Sequence, residues 1–119
     1  MKIKMIVAAA IVCSVAASAA FAQDAVKVDP KHYSVLEEND QVRILKAHYG
    51  PHEKSVMHSH PNAIAVFITD GVVTFHLPDG KTQEVTTKAG TAHYTTAVTH
   101  LPENTTDHDM DVIVIEMKK

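Results

Sequence analysis

The stretch SVMHSHPNAIAVFITDG, from Ser55 to Gly71, joins a histidine pair to an apolar run and a turn signal. His58 and His60 stand two positions apart, and side chains at that spacing project from the same face of a β-strand. With Cα atoms about 6–7 Å apart, two imidazoles can converge on one divalent ion. Two surface histidines on an edge strand are the alternative, and this motif alone leaves both open. Residues 63–69 are typical of a buried strand, and Asp70-Gly71 favours a hairpin.

The chain on both sides of this stretch consists of short β-prone runs separated by turn residues. The runs recur at roughly ten-residue spacing, and no helical period persists. We therefore predict an all-β fold, a sandwich or barrel, in a single domain spanning residues 33–119. The predicted strands are 33–36, 41–49, 55–60, 63–69, 72–77, 82–87, 91–101 and 111–117, with an extended lead-in at 23–32 and a polar loop at 103–109.

The first 22 residues have the pattern of a secretory signal peptide. Lys2 and Lys4 precede an apolar, alanine-rich run, and Ala20-Phe21-Ala22 offers the small residues that a signal peptidase accepts. A transmembrane anchor is the alternative, but the run is short for a span of about 20 apolar residues. We expect cleavage before Gln23 and a periplasmic or secreted location in a bacterium.

The amino-acid composition excludes some classes of partner and some kinds of chemistry. Removal of 22 of the 119 residues would leave 97, without the single cysteine, Cys13, so neither a disulfide nor a thiolate ligand is expected. Nine of the 11 basic residues and all 14 acidic residues would remain, a formal charge of −5. Without a basic patch, we expect neither nucleic acid nor, after cleavage, a membrane as partner. All nine histidines would remain, which indicates metal or proton chemistry.

The opening stretch resembles the first motif of the cupin superfamily, G-x5-H-x-H-x3-4-E-x6-G. His58 and His60 fill its histidine positions and Gly71 its last glycine, while His52 stands where the first glycine belongs. The glutamate position falls on Ile64, or on Ala65 with the longer spacing, and neither can bind an ion. We expect Ile64 to form an apolar wall beside the histidines.

A later stretch resembles the second cupin motif, G-x5-P-x-G-x2-H-x3-N. Gly90, His100 and Asn104 fit it, with one residue fewer before the histidine and with Thr95-Thr96-Ala97 in place of P-x-G. The resemblance covers roughly residues 41–117. It implies a jelly-roll β-barrel of six to eight strands with His58, His60 and His100 meeting in the barrel mouth. It also implies a divalent metal ion there, with Zn, Fe, Mn, Ni and Cu not distinguished.

Other residues could complement this site. His93 could be a fourth ligand or a proton carrier, although a surface or packed position is favoured, and Glu103 could be a neighbouring carboxylate or general base. His76 is expected outside the barrel by its strand parity. Four histidines in or near turns are expected to be solvated: His32, His48, His52 and His108. Three methionines are either soft copper ligands or packing residues: Met57, Met110 and Met117.

The sequence thus favours an exported small cupin that binds a divalent metal through three histidines, with catalysis left open. One alternative is a metal-dependent enzyme, an oxygenase, lyase or isomerase, acting on a small molecule. Another is a non-catalytic periplasmic protein that binds a small ligand or handles copper or zinc. We also expect a homodimer in which the run Tyr33–Leu45 covers open edge strands across a two-fold axis. Metal binding is expected to weaken as pH falls through ~6.5.

Overall fold

The computed structural model describes residues 23–119, so the predicted signal peptide lies outside the described residues. Within this range, no helix has the length and apolar character needed to cross a membrane. Residues 23–119 form one short helix and nine strands: α1 (Ala25–Val28), β1 (Tyr33–Glu38), β2 (Val42–Tyr49), β3 (His58–His60), β4 (Ala63–Phe67), β5 (Gly71–His76), β6 (Thr82–Thr87), β7 (Ala92–Thr95), β8 (Val98–Asn104) and β9 (Met110–Met117).

The strands form two antiparallel sheets that face each other. The larger sheet has the order β1-β2-β9-β4-β7 and the smaller has the order β3-β8-β5-β6. The connections cross between the sheets, as in a jelly roll, so strands far apart in sequence become neighbours. The prediction of an all-β jelly-roll barrel in a single small domain is confirmed.

The last strand shows how alternation builds the core. Along β9, Met110, Val112 and Val114 are buried while Ile113 and Ile115 are partly exposed, because successive side chains point to opposite faces. Each fully buried aliphatic side chain contributes roughly 1.5–3 kcal/mol relative to its exposed state. Glu116 also points inward, because it follows Val114 by two residues, and it is only 3% exposed although its side chain is charged.

The predicted strand at 91–101 is two strands in different sheets. β7 pairs with β4 in the larger sheet, whereas β8 pairs with β3 and β5 in the smaller one. The chain turns at Thr96-Ala97, where the Asn62 side chain accepts a hydrogen bond from the Ala97 N–H at 2.9 Å. One continuous strand could not pair in both sheets, so β-propensity alone does not reveal the corner. β8 also runs to Asn104, into the predicted polar loop.

The lead-in is not wholly extended, contrary to the prediction. Asp24 caps a single helical turn, and its carboxylate accepts the N–H of Lys27 at 3.3 Å. Before the helix, the Gln23 carbonyl accepts the N–H of Ser59 at 2.7 Å, so the segment lies alongside β3. The first described residues therefore contact the strand that carries the histidine pair.

Asn104 joins two loops at one end of the barrel, the loop after β2 and the loop between β8 and β9. Its side chain is fully buried, and Nδ2 donates to the carbonyls of Gly50 and His108 at 3.0 and 2.8 Å. Its Oδ1 accepts from the N–H and the hydroxyl of Thr106 at 3.0 and 2.8 Å. In the first of these loops His52 adopts φ +59°, a conformation that favours glycine. At the first glycine position of the motif, the backbone therefore has a left-handed conformation although the residue is histidine.

Candidate metal centre

Three histidines converge at the end of the smaller sheet. His58 on β3 lies directly opposite His100 on β8, and His60 follows two residues along β3 on the same face. One ring nitrogen from each lies within 4.8 Å of the others. His58 is 0% exposed and His60 is 7% exposed. The structure therefore brings together the three residues that the resemblance implied.

The ring orientations leave a free lone pair on the inner side of the cluster. The Nδ1–H of His58 donates to the Val56 carbonyl at 2.8 Å, which leaves Nε2 as the unprotonated nitrogen of a neutral ring. The Nε2 atoms of His58 and His100 are buried and have no hydrogen-bond partner among the described residues. Burying a polar atom without a hydrogen-bond partner costs about 1–3 kcal/mol of folding free energy, and a ligand bound to these two nitrogens would offset that cost.

Burial also keeps the rings in the ligand form. It lowers the pKa of His58 to about 4, and the neighbouring His60 ring adds to the effect. Burial, together with the His58 and His60 rings, lowers the pKa of His100 to about 3. At neutral pH both rings are therefore uncharged and able to donate a lone pair to a cation. Three imidazoles with converging nitrogens fit a divalent transition-metal ion.

A carboxylate supports the site from a strand that the motifs do not include. The Nδ1–H of His60 donates to Oε2 of Glu116 at 2.6 Å. The other oxygen, Oε1, accepts from Nε and Nη2 of Arg43 at 2.9 and 2.8 Å, and Arg43 also pairs with Asp24. Such a carboxylate fixes the tautomer of a metal-ligating histidine and strengthens it as a ligand. Neither histidine motif predicts a role for Glu116, and its one signal in the sequence is its place at an inward position of β9.

The prediction that Ile64 forms a wall beside the histidines is wrong. Ala63, Ala65 and Phe67 line the space between the sheets, whereas Ile64 lies on the outer face, opposite Tyr94 and Ile115 in the pairing register. The two-residue period of β4 requires this alternation. Of the two candidates for the glutamate position, Ala65 is therefore the one that faces inward, and its methyl group leaves open space.

A cavity of about 620 Å³ lies between the sheets and reaches two of the histidines, His60 and His100. Its walls are mainly apolar, with alanines and valines from the larger sheet and valine, phenylalanine and leucine side chains from the smaller one. Among the described residues, the lining includes no lysine, arginine, aspartate or glutamate. His93 also lines the cavity, but it is not a member of the histidine cluster.

Aromatic rings pack around the cluster. The Tyr33 ring lies edge-on to His58 at 4.8 Å between centroids, and the Phe75 ring stacks on His100 at 5.0 Å with an angle of 18°. The hydroxyls of Tyr33 and Tyr49 hydrogen-bond to each other, and burial raises the pKa of both. These contacts restrict the rings to one orientation. They hold the inner nitrogens toward the same point.

Four histidines outside the cluster lie on the surface or are half-buried. His76 bonds Glu103 at 2.8 Å, and neither residue lines the cavity, so Glu103 is not placed as a neighbour of the metal site. His48, His52 and His108 are exposed, as predicted.

His32 is not solvated, contrary to the prediction, and is 6% exposed. Its Nδ1 contacts Oδ2 of Asp29 at 2.8 Å and its Nε2 contacts Oε1 of Glu53 at 3.1 Å, which links α1 to the loop after β2. The backbone N–H of Gly50, together with His32, lowers the pKa of Glu53 to about 2.

Comparison with known proteins supports the fold and the family. The chain resembles the crystal structure of a cupin domain from Bordetella pertussis, with 21% identity, a TM-score of 0.69, and coverage of 73% of this chain and 92% of that one. A double-stranded β-helix protein from Klebsiella pneumoniae gives 19% identity, a TM-score of 0.59, and coverage of 72% and 75%. A polyketide cyclase from Streptomyces resistomycificus is 18% identical, with a TM-score of 0.52 and coverage of 73% of this chain and 64% of the cyclase. At these identities the likeness concerns the fold.

No curated protein sequence matches the chain significantly. The family profile described as a cupin domain matches residues 45–116, from β2 to the end of β9. This segment is more than half of the chain and contains all three clustered histidines. The chain therefore belongs to the cupin family.

Proposed function

We propose that this protein is an exported cupin that binds a divalent metal ion through His58, His60 and His100. The convergence of three imidazoles, two of them buried and one half-buried, carries the proposal, together with the unpaired inner nitrogens of His58 and His100. Imidazole ligands carry no negative charge, so they leave the charge of the ion undiminished, and three of them leave at least one coordination position open. Zn, Fe, Mn, Ni and Cu all accept imidazole ligands, so the donor set does not choose among them.

A bound ion would supply Lewis acidity at the wall of the cavity, where it could hold an oxygen atom of a small molecule. Contacts within the protein hold the three histidine rings in place around this position. Glu116 orients His60, the Val56 carbonyl orients His58, and Phe75 packs against the ring of His100.

The composition of the cavity wall bears on the remaining functional classes. Among the described residues, its polar lining consists of histidine, tyrosine, threonine and glutamine side chains, without a carboxylate or an amine. His93 lies in this lining outside the cluster and could move a proton, so the lining supports binding of a small ligand at the metal, with or without a reaction. A copper- or zinc-handling role is less well supported, because His58 and Met110 are both buried.

Isothermal titration calorimetry of untagged protein with each of the five metals tests the proposal. We expect binding of at least one ion at one site per chain, and a loss of at least about 100-fold in affinity for His58→Ala, His60→Ala and His100→Ala. His48→Ala and His76→Ala are matched controls, because both remove a histidine that is outside the cluster and does not line the cavity. Full metal loading of His58→Ala, or equal losses in the controls, would contradict the proposal.

We propose export on the basis of the lysine-flanked apolar run and the Ala-Phe-Ala site. N-terminal sequencing of protein recovered from the periplasm of a bacterial host should give Gln23 as the first residue. Protein that keeps Met1 and stays in the cytoplasm would contradict this proposal.

We also propose a homodimer. β1 is an edge strand of the larger sheet, and Leu36 on it is 55% exposed. The outer face of the same sheet carries a row of partly exposed apolar residues in register across four strands: Ile44, Ile115, Ile64 and Tyr94. A second copy related by a two-fold axis would present the same apolar row and could cover both the row and the edge.

A further inference from the structure

We propose that the cavity beside the three histidines takes an uncharged aromatic molecule that presents one oxygen atom to the metal. The oxygen contact rests on the proposed metal function, whereas the aromatic and uncharged character rests on the cavity itself. The proposal thus names the class of ligand for this site.

The size of the cavity fits a small molecule rather than a peptide or a single ion. Its volume of about 620 Å³ lies within the range of roughly 300–1,000 Å³ typical of small-molecule sites. His60 and His100 form part of its wall, so a molecule in the cavity would lie against the cluster. A small molecule there could therefore reach an ion held by these rings.

The charge of the lining argues against an ionic ligand. Among residues 23–119, no lysine, arginine, aspartate or glutamate lines the cavity. The closest charged support, Glu116, is already bound by His60 and Arg43, and both of its oxygens are used. A charged group on the part of a ligand that lies away from the histidines would lose its hydration without gaining an ion pair from the cavity wall, and this desolvation is costly.

The shape of the walls favours a flat ring. Three alanines of the larger sheet line the cavity, and two of them, Ala63 and Ala65, lie on β4. Small side chains there leave room against the Phe75 ring and the valines of the smaller sheet. Aromatic rings also pack favourably against phenylalanine and tyrosine, in offset-stacked or edge-on arrangements.

The two sheets leave a way in. β6 and β7 are the outer strands of their sheets, and no pairing joins them in the described part of the chain. Gln83 on β6 and Thr95 on β7 are exposed and also line the cavity, so they form a polar rim to an apolar interior. A ligand with an apolar body could therefore enter from this side with its polar atom directed toward the histidines.

Fluorescence titration with 2-naphthol, uncharged at neutral pH, tests the proposal. The matched probe is 2-naphthalenesulfonate, which has the same rings and a permanent negative charge. We expect the metal-free protein to bind 2-naphthol at least about 10-fold more tightly than the sulfonate. Saturation with the metal that binds in calorimetry should strengthen 2-naphthol binding at least about threefold, because its oxygen then contacts the ion.

Two neighbouring residues provide variants that locate the binding. Ala65→Leu places three extra carbon atoms in the cavity and should weaken 2-naphthol binding at least about 10-fold, with metal affinity changed less than twofold. Ile64→Leu alters the adjacent residue on the outer face and should change neither affinity.

The outcomes separate this proposal from the metal proposal. Metal binding together with no preference for 2-naphthol over the sulfonate would overturn the ligand class and leave the metal function standing. A 2-naphthol preference in a protein that binds no metal would overturn the metal function and the oxygen contact, but not the uncharged aromatic ligand. Unchanged binding in Ala65→Leu would overturn the assignment to this cavity.

Discussion

His60 and Glu116 stand 56 residues apart in the chain, yet their side chains meet inside the barrel at 2.6 Å, and only 5% and 4% of their surfaces are exposed. The register of β4 and β9 brings them together, since Glu116 pairs with Ala63, three residues after His60. Arg43 on β2 and Asp24 before α1 extend the contact into a chain of charges. The metal site therefore depends on elements well outside the two histidine motifs.

Glu116→Gln should weaken metal binding by about 10-fold, within the range of 10–100-fold typical for a carboxylate behind a ligating histidine. The amide keeps the shape but loses the charge that strengthens His60 and pairs with Arg43. Calorimetry with the preferred metal measures the effect. Glu103→Gln is the matched control, because Glu103 bonds a histidine outside the cluster at 2.8 Å. Equal affinities in the two variants would show that Glu116 does not support the site.

The metal-free protein should lose stability in acid because of His58 and His100. Their ordinary pKa is 6.5, and burial lowers the folded values to about 4 and about 3. Below pH 6.5 the unfolded chain therefore binds more protons than the folded chain, so the free energy of unfolding falls as pH falls toward 4. The slope is up to about 1.4 kcal/mol per pH unit for each histidine. Above pH 6.5 this contribution is constant.

Urea unfolding of the metal-free protein between pH 7.5 and 4.5 measures this slope. His58→Gln should flatten it, whereas His48→Gln, at a residue half exposed on β2, should leave it unchanged. An identical slope in wild type and His58→Gln would contradict the assignment. Because the folded rings stay neutral to lower pH, the loss of metal binding that the sequence predicted near pH 6.5 is expected at lower pH for these two ligands.

Leu36→Glu should convert the proposed dimer into a monomer. Leu36 is 55% exposed on the edge strand β1, so a charge there does little harm to the isolated fold but would be buried in the interface. Light scattering at micromolar concentration gives the mass. Ile68→Glu is the control, since Ile68 is 50% exposed next to a turn rather than on that edge. A monomeric wild type, or a dimer in Leu36→Glu, would rule out this interface.

Asn104→Ala should destabilise the fold by roughly 2–4 kcal/mol, because it removes a fully buried side chain and leaves the carbonyls of Gly50 and His108 and the N–H of Thr106 without their partner. Asn39→Ala removes an exposed turn bond to Gln41 and should cost less than about 1 kcal/mol. Chemical denaturation compares the two variants. Similar small losses would mean that solvent replaces the bonds of Asn104.

Much of the site could be predicted because it depends on local spacing. A two-residue period on one strand is enough to place His58 and His60 on one face, and the glycine and asparagine around His100 mark a second motif. The same reasoning failed for Ile64 because two spacings were open, and only the pairing of β4 shows that Ala65 faces inward. His32 was misjudged because a turn position does not reveal the carboxylates of Asp29 and Glu53.

Residues close together in the chain were enough to predict the strand period, the turns, the all-β fold class and the histidine pair. Pairing between distant strands set the remaining features. It divides residues 91–101 between two sheets, brings Glu116 against His60, and leaves a cavity without charged side chains beside the cluster. Local patterns fix the direction of a side chain relative to its own strand, but the partners it meets are set by the order and register of the sheets.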